Sequence, residues 1–173
     1  DVPVHVQRPP VFPEDSAPIV DPDRYGTFVT LVNASEEKGG MLVAGIARRM
    51  PDLRFLIVTG GYGEQVAALR TLPNVEVTGH QDDMRWVWRH TAVLLVPSVE
   101  ESWGMAAVEA MSAGIPVLGS PALGLHECLG REMLHPLPLD DEGAWCSASR
   151  DALGPKREHL HVAALRRAFQ LEP

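Results

Sequence analysis

The stretch PSVEESWGMAAVEAMSAGIPVLGS, Pro97 to Ser120, carries the most information about the fold of this chain. An apolar run, Val93–Val96, comes directly before it, and a second one, Ile115–Leu118, lies near its end. Between the two runs, Gly104 stands where a turn from a strand into a helix favours a residue without a side chain. The stretch therefore predicts two buried strands that are connected by a ligand-binding loop and a helix.

Short apolar runs of this kind recur along the chain and show little alternation of apolar and polar residues. They lie at Phe28–Val32, Phe55–Val58, Val75–Val77, Val93–Val96 and Ile115–Leu118. Continuous runs are typical of strands that are buried on both faces. The segments between them, around residues 41–50, 66–69 and from Trp86 onward, have helical spacing of apolar residues. We therefore predict an α/β fold with a doubly wound, Rossmann-like parallel sheet, in which ligands bind beyond the carboxyl ends of the strands.

The two ends of the chain differ from this pattern. Residues 1–25 are rich in proline and acidic residues, which predicts a linker or arm, and residues 26–173 are predicted to form one ligand-binding domain. Met133–Leu139 is interpreted as a short edge strand that two prolines interrupt, and Arg157–Leu171 as a closing helix. The first residue is Asp1 rather than methionine, so we expect either a processed chain or a piece of a longer one.

Composition excludes several classes of partner. The net charge of −8 provides no broad positive field for nucleic acid or for anionic membranes. No apolar run approaches the roughly 20 residues of a membrane span, and the chain does not open with a signal segment. The two cysteines, Cys128 and Cys146, have no CxxC spacing, which suits a reducing compartment. We expect a cytoplasmic protein with neither nucleic-acid nor membrane partners.

Two glutamates, Glu101 and Glu109, are separated by seven residues. On a single helix they would lie roughly 12 Å apart, beyond the spacing of about 5–9.5 Å in paired hydrolase carboxylates. A better arrangement places Glu101 in the loop and Glu109 one turn inside the helix, where each accepts hydrogen bonds from a different part of one polyhydroxylated ligand. The backbone N–H groups of Gly104 and Met105 at the helix start favour a phosphate between them. A sugar nucleotide fits this pattern, whereas a helix cap at Glu101 and a solvated Glu109 are the alternative.

Three other turns end strands at the same predicted edge. Lys38, near a helix start, opposes the helix dipole unless a negative ligand such as a diphosphate sits there, although a solvated surface lysine is the simpler explanation. The glycines of Gly60–Gly63 allow a backbone to approach a ligand and are predicted to open a helix, although an ordinary turn explains them about as well. Gly79 and His80 end the third strand. The histidine is either a contact to a base or sugar or a loop residue without a role in binding.

The segment ESWGMAAVEAMSAGIPVLGS resembles the signature of the retaining GT-B glycosyltransferases of family 4, also called group 1: two glutamates separated by seven residues, then an alanine–methionine pair, a glycine and PV. Other stretches resemble that family in the same order along the chain, from Arg8 to Leu139: RPPV, EKGG, the glycines at 60–63, NVEVTGH and GLHE. The resemblance implies the C-terminal, donor-binding domain of a GT-B fold. It also implies a reaction that passes a sugar from a nucleotide diphosphate sugar to a hydroxyl acceptor with retained configuration.

The same resemblance implies roles for individual residues. Glu101 matches the glutamate that holds the donor sugar, and Lys38 matches the lysine that contacts the diphosphate, so these two are the predicted catalytic residues. Glu109 matches the glutamate that binds the ribose. Backbone groups of Gly104 and Met105 match the donors to phosphate and sugar.

Other positions are assigned to donor binding with less detail. Gly79 and His80 match the base-binding edge, and Trp103 and Gly61 are included in the donor site. Asn33 stands where many members carry an arginine, which removes one phosphate contact. Leu123 and His126 replace the usual glycine and proline near the sugar, so neither the sugar nor the base follows from the sequence. No metal or cofactor is expected, because a helix N-terminus and a lysine can offset the phosphate charge.

GT-B enzymes need a second, N-terminal domain that binds the acceptor, and this chain shows no resemblance to it. Catalysis by positioning two substrates requires both walls of the cleft, so we expect transfer only with that domain, in the same chain or a separate one. A non-catalytic nucleotide-sugar-binding or interaction module is the main alternative, favoured by Asn33 and the missing half. A related epimerase or phosphorylase would require residues that the chain does not show.

Overall fold

The computed structural model of the protein describes residues 26–61, 64–129 and 136–154. Within these ranges, five parallel strands form one sheet in the order β3-β2-β1-β4-β5. The strands are β1 Phe28–Val32, β2 Arg54–Val58, β3 Val75–Thr78, β4 Thr91–Val96 and β5 Val117–Gly119. Each predicted apolar run is a strand whose ends lie within two residues of the prediction. Because the strand order reverses direction between β1 and β4, the doubly wound, Rossmann-like prediction is confirmed.

Helices connect the strands on both faces of the sheet. They are α1 Gly40–Arg49, α2 Arg85–His90, α3 Met105–Ser112, α4 Leu123–Leu129 and α5 Glu142–Leu153. After β2, however, the predicted helix is only a short 3₁₀ helix, Ala67–Thr71, and the glycines after β2 do not open it. The reason is that Gln65 forms an isolated bridge with Ser35, which holds the chain against the turn after β1. None of the helices in the described ranges is long and apolar enough to cross a membrane.

Burial on both faces explains why most strands appear as nearly continuous apolar runs, whereas the edge strand β3 is only partly buried and carries the exposed Glu76. All six residues of β4 are buried. In β2, Leu56 and Val58 pack in one cluster with α3 and α4, whereas Phe55 and Ile57 pack in a second cluster with α1 and α5. The sheet thus forms the middle layer of three, and the buried Thr30 and Thr91 of its inner strands are hydrogen-bonded to each other through their hydroxyl groups at 2.8 Å.

Residues 136–138, before α5, lie beside the end of β5. Leu137 N donates to Gly119 O at 2.9 Å, and the buried Trp145 donates through Nε1 to Pro138 O at 2.8 Å. Residues 136–139 are nevertheless not a strand, because the prolines at 136 and 138 have no N–H to donate to a ladder. The rest of that predicted strand, the predicted arm 1–25 and the closing helix 157–171 lie outside the described residues.

Candidate functional site

A cleft of about 450 Å³ opens at the carboxyl ends of the strands, beside the point where the strand order reverses. The turns after β1, β2, β3 and β4 and the first turns of α3 line it. With the exception of Gly79, every residue that we predicted for the site lines this cleft: Lys38, Glu101, Glu109, Gly104, Met105, Trp103, Asn33, Gly61 and His80. The structure therefore brings the predicted residues together, whereas their roles stay predictions.

Gly104 turns the chain from the loop after β4 into α3. Its φ of 82° lies in the left-handed region, and a methyl group at this position would lie 2.7 Å from Leu125 Cδ2. Both facts require a glycine, as the sequence predicted. No side chain caps the helix start, so the first N–H groups of α3, including that of the exposed Met105, are available to a ligand. This helix start is suited to an anion.

Lys38 and Glu101 form a short ion pair across the cleft. Lys38 Nζ lies 2.7 Å from Glu101 Oε2, and the two side chains are only 19% and 16% exposed. Ser98 Oγ donates to the same Oε2 at 3.3 Å, and Ser120 Oγ donates to Ser98 O at 2.6 Å. Sequence reasoning did not identify Ser98 and Ser120, although both lie in the stretch that predicted the site.

The two loops that carry this pair are tied together by backbone contacts. Val99 N donates to Glu37 O at 2.9 Å, so the loop after β4 is bonded to the turn after β1. Gly39, with φ of 79°, begins α1 directly after Lys38, and a methyl group there would meet Pro97 O at 2.4 Å. The lysine is therefore held close to the glutamate by the packing of the loops as well as by charge.

Glu109 lies in the second turn of α3, one turn inside the helix as predicted. It is half-buried on the wall of the cleft, and this burial raises the pKa of its carboxyl group. Glu101 lies in the loop, also as predicted. The two carboxylates thus belong to different structural elements, as the arrangement predicted from the sequence requires.

Asn33 occupies an unusual position at the end of β1. Its φ is 60° and it is 5% exposed. Its Oδ1 accepts from Gln65 Nε2 at 2.8 Å and from Ser35 N at 3.3 Å, while Gln65 Oε1 accepts from Ala34 N at 2.8 Å. A methyl group at Gly60 would lie 2.4 Å from Asn33 Cγ, so Gly60 is needed to make room for this amide. Asn33 therefore joins the turns after β1 and β2, a role that the sequence did not predict.

Residues at the outer side of the cleft are exposed. His80 Nε2 lies 3.7 Å from Asp82 Oδ1, and both side chains are in solvent. A methyl group at Gly61 or Gly79 would meet nothing within 4 Å, so the fold does not require a glycine at either position. Leu123, at the start of α4, is 87% exposed and is not among the residues that line the cleft.

Comparisons with known proteins agree with the observed fold. Residues 35–153 match the family model "Glycosyl transferases group 1". The chain is 33% identical over 91 residues to the D-inositol 3-phosphate glycosyltransferase of Mycobacterium sp. strain KMS, which covers 46% of this chain and 21% of that protein. The solved structure of sucrose-phosphate synthase from Thermosynechococcus elongatus aligns with a TM-score of 0.71 at 23% identity, over 84% of this chain and 41% of that one.

A second solved structure, Anabaena HepE in complex with UDP-glucose, aligns with a TM-score of 0.70 at 18% identity, over 92% of this chain and 48% of that one. At these identities the two structures establish the fold alone. The chain spans about a fifth of the length of the curated relative and less than half of each of the two solved structures.

Proposed function

Because the chain belongs to the group 1 glycosyltransferases, we propose that it is the part of such an enzyme that binds the nucleotide sugar donor. One observation carries the proposal: a lysine–glutamate pair, an uncapped helix start and a second glutamate line a single cleft at the switch point of the sheet. Open α/β sheets bind ligands at this point. The cleft volume of about 450 Å³ is also in the range of small-ligand sites.

The proposed donor spans the cleft from Glu109 to Glu101. The ribose hydroxyls donate to Glu109, and the diphosphate lies at the start of α3 near Lys38. The sugar lies beside Glu101, which accepts bonds from its hydroxyl groups. The base lies toward the exposed side, near Gly61 and His80. The complex of HepE with UDP-glucose supports a nucleotide sugar as the ligand of this fold.

In the proposed reaction the sugar passes from the diphosphate to a hydroxyl acceptor with retained configuration. The bond between the anomeric carbon and the phosphate oxygen breaks, and its electron pair goes to the phosphate, where Lys38 and the helix start stabilise the new charge. The acceptor oxygen bonds to the anomeric carbon on the same face, and the proton of the acceptor hydroxyl passes to the leaving diphosphate. We propose that these groups act without a metal. The acceptor is supplied on a second domain, in the same chain or a separate one, so this part alone transfers little or no sugar. The expected compartment is the cytoplasm.

A non-catalytic nucleotide-sugar-binding module is the second candidate, and the position of Asn33 favours it. The Asn33 amide is bonded to Gln65 and brings no positive charge to the cleft. Lys38 is then the one lysine or arginine among the described residues that line the cleft, and it is paired with Glu101. A site with so little positive charge binds a diphosphate less strongly than one with a lysine and an arginine.

Calorimetry tests the proposal with UDP, GDP, ADP and dTDP and with the corresponding nucleotide sugars. We expect the wild type to bind at least one nucleoside diphosphate and its nucleotide sugar. Glu109→Ala is expected to weaken that binding by about 10- to 100-fold, since it removes hydrogen bonds to a charged group. Glu100→Ala, which removes an exposed carboxylate in the loop before α3 and outside the cleft, is the control and should bind as the wild type does. Absence of binding for every nucleotide would refute the donor-binding role.

A second experiment separates the enzyme from the module. The chain joined to its natural N-terminal region is incubated with the nucleotide sugar that binds best and with candidate hydroxyl acceptors, and the release of nucleoside diphosphate is measured. Turnover that disappears in Glu101→Ala supports the enzyme. Donor binding without turnover on any acceptor supports the module.

A further inference from the structure

The charges that face the cleft do not favour a free nucleoside diphosphate. Among the described residues that line the cleft, Lys38 is the one permanent cation, while Glu101 and Glu109 are carboxylates. The lysine is already paired with Glu101 at 2.7 Å. A phosphate that binds Lys38 therefore also approaches a carboxylate, and like charges that lie close together in a partly buried site repel each other.

Glu101 cannot easily move away from such a phosphate. Its Oε2 accepts from both Lys38 Nζ and Ser98 Oγ, and its backbone O accepts from Gly124 N at 3.1 Å. Ser98 itself is 1% exposed, and its backbone O accepts from Ser120 Oγ at 2.6 Å. No residue in the described ranges donates to Oε1 of Glu101. The carboxylate is thus held in place with one oxygen engaged and the other left to a ligand.

Nucleotide sugars and free nucleoside diphosphates differ at the group that meets this carboxylate. In a free diphosphate the terminal phosphate ionises a second time with a pKa of about 6, so it is more negative at neutral pH. In a nucleotide sugar that oxygen is bonded to the sugar, and the sugar hydroxyls can donate to the carboxylate. One ligand brings an additional negative charge to Glu101, and the other brings hydrogen-bond donors.

From this difference we infer that Glu101, held by Lys38 and Ser98, is a specificity-determining residue that makes the cleft prefer an intact nucleotide sugar over the free nucleoside diphosphate. The inference rests on the proposed function. The preference also affects turnover, because sugar transfer converts the nucleotide sugar, which the cleft prefers, into the nucleoside diphosphate, which must then leave.

The test compares the affinities of a matched pair of ligands, UDP and UDP-glucose, in the wild type and in Glu101→Gln. Glutamine keeps an oxygen that can accept from Ser98 and Lys38 but removes the charge. We expect the variant to bind UDP about tenfold more tightly, while UDP-glucose binds equally or more weakly, so that the preference for the nucleotide sugar falls by at least about tenfold. Glu100→Gln removes one charge at an exposed position outside the cleft and should leave the preference unchanged.

If UDP does not bind, UDP and UDP-glucose are replaced by the guanosine, adenosine or thymidine diphosphate that does bind and by the nucleotide sugar that corresponds to it. An equal change in the affinities for both ligands of the pair overturns the inference and leaves the proposed function intact. Absence of binding for all four pairs removes the proposed function and the inference with it. Circular dichroism checks that Glu101→Gln is folded. Should it not fold, Ser98→Ala, which loosens the carboxylate, must lower the same preference, and an unchanged preference there also overturns the inference.

Discussion

The contact between α4 and the loop that carries Glu101 gives a sharp test of the site's construction. Gly124 N donates to Glu101 O at 3.1 Å. A methyl group on Gly124 would lie 2.3 Å from Glu101 O and 2.4 Å from Ser102 C, and both of these atoms belong to the backbone. Neither atom can rotate out of the way as a side-chain atom could. Gly124→Ala must therefore push the start of α4 away from the loop.

The size of the effect follows from this geometry. A carbon–oxygen contact needs about 3.5 Å, so the helix start must move by roughly 1 Å. Overpacking of this kind costs about 1–3 kcal/mol, and weakening the hydrogen bond to Glu101 O adds about 1 kcal/mol. The free energy of unfolding should fall by about 2–4 kcal/mol, which corresponds to a decrease in Tm of about 5–15 °C.

Urea unfolding followed by far-UV circular dichroism measures this loss. Gly79→Ala is the matched control, because a methyl group at Gly79 meets nothing within 4 Å. The control should be unchanged or stabilised by up to about 1 kcal/mol, since alanine reduces the freedom of the unfolded chain. Equal stability of Gly124→Ala and Gly79→Ala would refute the packing of α4 against the Glu101 loop. It would also remove the basis for treating Glu101 as a fixed carboxylate.

Two further predictions concern the walls of the cleft. Burial raises the pKa of Glu109 above 4.5, so the folded state holds this proton more strongly and loses stability as the pH rises through the raised pKa. Glu109→Gln should remove that loss and be more stable than the wild type at pH 7 in urea unfolding. A less stable variant would contradict the burial of a charged carboxylate at this position. Gln65→Leu removes the bonds to Asn33 and Ala34 and should lower the free energy of unfolding by about 1–3 kcal/mol. The same replacement at the exposed neighbour Glu64 should change it by no more than about 0.5 kcal/mol, and equal losses would refute the role of the amide network.

The strands could be predicted because the signal for them is local. A strand buried on both faces needs a largely apolar run, and β1 and β4 each show one, whereas the edge strand β3 carries the exposed Glu76 between two valines. A parallel sheet with helical connections then follows from general rules of chain topology. The helix α5 was missed although a signal was present: Asp141 caps it by accepting from Ala144 N at 2.9 Å, and Glu142 follows in the first turn.

The segment after β2 could not be predicted in the same way. Its conformation depends on Gln65, which bonds to Asn33 and lies 32 residues after it in the chain. No periodicity or cap in the segment itself reports that contact. For the same reason the sequence indicated Lys38 and Glu101 as separate candidates but not as an ion pair. Their charges are 63 residues apart in the chain and meet only because β1 and β4 are neighbours.

This dependence on the sheet couples the site to the fold more closely than the separate motifs suggest. The pairing of β1 with β4 sets where the turns that follow them leave the sheet, and Val99 N then bonds to Glu37 O between those turns. A shift of this register would separate Lys38 from Glu101 without changing either residue. Lys38 alone would then bind any phosphate, and Glu101 alone would accept hydrogen bonds from any polyol. Only the contact between Lys38 and Glu101 lets the cleft distinguish a nucleotide sugar from a free nucleoside diphosphate. The selectivity proposed for Glu101 is therefore a property of the assembled sheet edge.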